Sequence, residues 1–168
     1  VKLDLDTQVM DQTMSVAFKT MIKAVSGQGH AFENIEADIS LHSLDIQSVQ
    51  QLSELIVKIQ SATESEQMLL AQQVQTILPK VLKQGPTFHL TKLSMQTEQG
   101  EMQHQANISV NKDLIDESNP MSLILAAEAK AEGQAPEDFF KAIGMEKVIE
   151  GFVSNQYLVR ADGQLSYD

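Results

Sequence analysis

Two apolar periods in one chain predict an α+β domain, with a strongly curved antiparallel β-sheet packed against amphipathic helices. Apolar residues recur every second position in three separate regions, which marks half-buried strands. Between those regions they recur at the 3.6-residue spacing of helices. Blocks of strands separated by blocks of helices indicate α+β and not a doubly wound parallel sheet. The predicted order is β-β-β-α-α-β-β-β-α-β-β, in a single domain over residues 1–168.

The first block is strand. Leu3 and Leu5 alternate with Lys2, Asp4 and Asp6, and Met14, Val16 and Phe18 with Ser15, Ala17 and Lys19. Ser26-Gly27-Gln28-Gly29 has the composition of a turn. Ile35, Ala37, Ile39 and Leu41 then share one face, and Glu36, Asp38 and Ser40 the other.

The period lengthens after Asp45, which stands at an N-cap position. Val49, Leu52, Leu55, Ile56 and Ile59 form one helical stripe. Thr63-Glu64-Ser65-Glu66 has the form of a capping box, and Met68, Leu69, Val74, Ile77, Leu78 and Val81 form a second stripe. Leu52, Leu55, Ile56, Val74, Ile77 and Leu78 are the expected helix–sheet core. Pro79 lacks an N–H, so a kink or a shortened helix is expected there. Gly85-Pro86 ends the block.

Strands return at Phe88 and Leu90. The apolar parity shifts to Leu93 and Met95, which predicts a bulge near Lys92. A hairpin turning at Gln99-Gly100 would pair Met95 with His104, Leu93 with Ala106 and Thr91 with Ile108. After a polar loop, Leu123, Leu125, Ala127, Ala129 and Ala131 read as a strand whose small residues leave room for a helix above them, and Gly133 closes that strand. Pro136 and the acidic pair Glu137-Asp138 open a helix, with a break at Gly144. Tyr157 to Asp168 reads as a hairpin turning at Asp162-Gly163.

Composition excludes several functions. The net charge of −11 repels phosphate backbones, so no nucleic-acid partner is expected, and it disfavours anionic lipid surfaces. The chain has no Cys, which removes disulfides, thiolate metal sites and Cys nucleophiles. Aromatics make up only 5% and there is no Trp, so Leu, Ile, Val, Ala and eight Met must build the core. No apolar run approaches the ~20 residues of a membrane span. The opening Val1-Lys2-Leu3, without an initiator Met, suggests an excised part of a longer protein.

No residue set predicts catalysis, a cofactor or a metal. His30, His42, His89 and His104 have neither the His-x-x-x-His nor the His-Glu-x-x-His spacing. Asp113, Asp116 and Glu117 offer oxygen ligands without the spacing of a calcium loop. Ser109-Val110-Asn111-Lys112 matches a bare Ser-x-x-Lys, but this Ser ends a strand where that chemistry has it opening a helix. Asn107-Ile108-Ser109 is a glycosylation sequon placed inside a strand.

The segment order resembles a known family. An alternating strand runs into Leu44-Asp45-Ile46 and a helix through Val49 and Leu52. Long alternating strands follow, then a Pro-Glu-Asp-Phe-Phe helix and a close at Tyr157 and Asp162-Gly163-Gln164-Leu165. This is similar to the YdgA-like family of bacterial envelope proteins of unknown function. The resemblance implies a hydrophobic anchor upstream and a location on the periplasmic face of the inner membrane. It supplies no catalytic residues.

The resulting expectation is a non-catalytic envelope domain that acts through protein contacts. The alternative is a binding module for an apolar ligand such as a lipid, held in a cavity between curved sheet and helices. An apolar cavity of roughly 300 Å³ or more would favour the ligand, and an exposed apolar patch the protein partner.

Overall fold

The computed structural model describes residues 1–27, 29–116, 119 and 121–167. Strands β1 (Lys2–Met10), β2 (Thr13–Gly27) and β3 (His30–Asp45) precede helices α1 (Ile46–Ser61) and α2 (Glu64–Leu82). Strands β4 (Thr87–Thr97) and β5 (Gly100–Val110), a 3₁₀ turn at Lys112–Leu114 and helix α3 (Met121–Ala126) follow. Strand β6 (Ala127–Pro136), helices α4 (Glu137–Ala142) and α5 (Glu146–Ser154), and strands β7 (Val159–Ala161) and β8 (Gln164–Tyr167) complete the chain. The eight strands form one open antiparallel sheet in the order β1-β2-β3-β4-β5-β6-β8-β7. The α+β class and the predicted alternation of strand and helix blocks are those observed.

Register traces two faces across this sheet, because directly paired residues point the same way. Leu5, Phe18, Ile39, Leu90, Ala106 and Ala131 pair in succession from β1 to β6 and define the apolar face. The polar face carries Asp4, Lys19, Asp38 and Lys92 in one such row. The predicted bulge sits at Thr91-Lys92, where the β4 register shifts between Leu90 and Leu93. It keeps both leucines on the apolar face.

The β4–β5 hairpin differs from expectation by two residues. The turn is Glu98-Gln99, and Met95 pairs with Met102, Leu93 with His104 and Leu90 with Ala106. The Thr97 hydroxyl fixes this turn by donating to Gly100 O at 2.8 Å and accepting from Gln99 N at 3.2 Å. A two-residue slip preserves parity, so the same side chains share the face.

The helices cover less of the sheet than predicted. α1 and α2 pack on each other, and their main contact with the sheet is through β3. Leu55 is buried and Leu52, Val74 and Ile77 are half-buried, but Ile56 and Leu78 stay exposed. Asp45 caps α1 as expected, its Oδ1 accepting from Ser48 N at 2.7 Å. The Glu66 carboxylate takes both the N–H and the hydroxyl of Thr63 at the start of α2, which holds that carboxyl below its usual range. α2 is not shortened at Pro79, which lies buried inside it.

Two further expectations are corrected. Leu123 and Leu125 belong to helix α3, and the strand begins at Ala127. Ser122 Oγ accepts from Asp116 N at 2.9 Å and donates to Asp116 O at 3.0 Å, a local network that favours a turn over extension. Among the described residues no helix covers Ala127, Ala129 and Ala131, which are exposed. The predicted break at Gly144 separates α4 from α5, with φ +76° at the glycine. Asp162-Gly163 turns the last hairpin with φ of 51° and 75°, a left-handed pair that fits a type I′ turn.

Candidate binding face

The histidines are dispersed over the sheet. His30 opens β3 at its pairing with Gly27. His89 pairs with Asn107, and His104 lies further along the same hairpin, opposite Leu93. The structure brings His42 and His89 together, with ring centroids 5.5 Å apart and edge-on. His42 Nε2 lies 3.0 Å from Ser40 Oγ. Among the described residues no carboxylate hydrogen-bonds this pair, which there lacks the third member that orients a base toward a nucleophile. Among the described residues no three His, Asp or Glu side chains converge as a metal site. Asp113 and Asp116 are exposed in the loop, and Glu117 lies outside the described residues. Ser109 is the penultimate residue of β5 and lies in the strand, not at the opening of a helix.

What the sheet does offer is surface on both faces. On the polar face lie two open hollows that share Thr91, Gln105 and Glu132. One, of about 620 Å³, has His89, Asn107 and Lys130 at its rim. The other, of about 790 Å³, extends to Asp38, Gln103, Gln134 and Ser166. A third, of about 250 Å³, lies beside them over Lys2, Asp4, Lys19, Glu36 and Lys92. No helical residue lines any of the three. The charges here are largely self-paired. Lys19 meets Asp38 at 2.7 Å and Lys92 bonds Glu36, and each carboxylate raises its lysine above the ordinary range.

The apolar face is left partly in water. Leu3, Leu5 and Val9 on β1 and Ile108 on β5 are exposed, and their parity places all four on this face. β1 is also an edge strand, every residue of which is exposed, and no strand among the described residues pairs with its outer side.

At the edge of the larger hollow a cluster ties the sheet together, and its three members are among the residues lining that hollow. His104 on β5, Gly133 on β6 and Tyr167 on β8 pair in one row. His104 Nδ1 lies 3.0 Å from the Tyr167 hydroxyl, with the rings stacked at 5.8 Å. The two side chains reach across Gly133, where a Cβ would fall 2.2 Å from His104 Nδ1. Burial holds the His104 imidazole below its ordinary value. Sequence reasoning missed this trio. Its three members are far apart in the chain, and only the register of β5, β6 and β8 brings them together.

The chain belongs to the family described as "Bacterial protein of unknown function (DUF945)", whose match covers residues 1–166. No curated protein and no solved structure matches the chain. Among the described residues no helix is long and apolar enough to cross a membrane.

Proposed function

We propose that this chain is a non-catalytic domain of the bacterial envelope that works through protein contacts on the apolar face of its sheet. The observation that carries this reading is the exposure of Leu3, Leu5, Val9 and Ile108 on one face, beside an unpaired edge strand. Uncovered apolar side chains of common parity mark a protein-contact surface. An extended partner could also add to β1 through main-chain hydrogen bonds. The YdgA-like resemblance supports a location on the periplasmic face of the inner membrane.

The apolar-ligand reading has weaker support. It needs an apolar cavity between sheet and helices, whereas the described hollows lie open on the sheet and no helical residue borders them. The proposal is tested by a photo-crosslinking residue at Leu5 or at Asp4 in the full-length protein in its own cells. Protein adducts from position 5, weakened by Leu3→Asp, are expected. Lipid adducts alone, or none at either position, would refute it.

A further inference from the structure

We propose that His104, Gly133 and Tyr167 form an acid-opened latch that holds the Tyr167 end of β8 against β6. β8 pairs with β6 over only four positions, from Gly133–Tyr167 to Pro136–Gln164. Its two ends are secured by different chemistry. At the turn end, Glu137 N donates to Gly163 O at 2.9 Å. Arg160 of the same hairpin bonds Glu137 and Glu150, each at 2.8 Å. At the other end the side-chain tie is the His104–Tyr167 contact.

His104 sits in an apolar setting. Facing it are Leu93 from β4, Gly133 from β6 and Tyr167 from β8. Met102 and Ala106 flank it on its own strand, and Ala131, Ala135 and Leu165 occupy the next positions on the same face. Of these only Tyr167 titrates; the charged residues that line the adjoining hollow with His104 are Asp38, Lys92 and Glu132, and register places their side chains on the opposite, polar face. A neutral imidazole can hydrogen-bond the Tyr167 hydroxyl in either tautomer. A protonated ring keeps a donor toward that oxygen but must hold its charge among apolar side chains, and swinging β8 away returns it to water.

The sign follows from proton binding. Burial pushes His104 below its ordinary value of 6.5, so the latched state binds fewer protons than the open one. The latch is therefore fully stable above pH 6.5 and weakens as pH falls below it. Opening would uncover the β6 edge at Gly133 and Gln134. It would also remove one wall of the larger polar hollow, because Val159, Ser166 and Tyr167 line it. The hairpin would stay attached through Arg160 and Gly163.

Amide hydrogen exchange at pH 7.5 and 5.5, expressed as protection factors, tests this. Protection at Ser166 and Tyr167 should fall several-fold at the lower pH, while Gln164 beside the turn and the β3–β4 pairs hold theirs. His104→Gln should flatten that dependence. Tyr167→Phe should lower protection at both pH values and keep the slope. Equal wild-type protection at the two pH values, parallel loss in β3–β4, or an unchanged slope in His104→Gln would overturn the latch. A titration of the His104 ring by NMR needs no variant. Its midpoint should lie below 6.5, and one at or above that value would also overturn the proposal.

Discussion

A methyl group at position 133 would lie 2.2 Å from His104 Nδ1, 2.9 Å from the Tyr167 hydroxyl and 3.0 Å from Gln103 O. The carbonyl is backbone and cannot turn aside, so Gly133→Ala must separate strands or expel a ring. A loss of about 1–3 kcal/mol is expected in urea unfolding, together with loss of the upfield-shifted ring signals of a stacked His104. Leu165 is a different case. It is 2% exposed, and Leu165→Ala should cost about 2–5 kcal/mol through the cavity it leaves. A change under about 0.5 kcal/mol in the same assay would show that the terminal hairpin contributes little to the cooperative core. The need for glycine at 133 was not legible in the sequence. There the residue reads as the end of a strand, whereas the strand continues to Pro136 and the glycine makes room for two rings. That requirement belongs to three strands in register, and no local pattern records it.

Helix starts were legible because the signal is local. Asp45 lies three residues before the N–H it accepts, and Glu66 three residues after the Thr63 it holds. Asp45→Ala should therefore destabilise the domain by about 0.5–2 kcal/mol, with Asp45→Asn or Asp45→Ser recovering most of it. Equal losses in all three variants would mean that the Asp45–Ser48 bond is not what secures α1. Strand pairing was legible in parity and not in register. The bulge at Lys92 follows from a break in alternation, but the turn lies at Glu98-Gln99 because the Thr97 hydroxyl can bond both sides of it. Leu123 and Leu125 failed for another reason. Two leucines two residues apart fit a strand as well as a short helix, and the Ser122–Asp116 network decides between them.

Across the whole molecule, the fold class was legible because periods of 2 and 3.6 residues survive any detail of packing. Which face the helices cover was not. The apolar stripes of α1 and α2 name a buried side without naming its partner, and here much of that side is the other helix. The same ambiguity made the alanines of β6 look like a floor for a helix that lies elsewhere. The shortage of convergent ligands leads to one further expectation. Thermal melts with and without a chelator should superimpose, and a clear drop on chelation would show a site that includes residues beyond those described.

Strand order along this sheet follows chain order from β1 to β6, with β8 and β7 beyond. Tension applied between the two ends of the chain would therefore act across the sheet, at right angles to its strands. Each antiparallel pair would meet the load at one end of its ladder and part bond by bond, like a zip. Parallel terminal strands pulled lengthwise must instead break all their bonds together. The domain should thus yield at low force and in steps of one strand at a time, a property a force spectrometer would record as a train of small extensions in place of a single rupture.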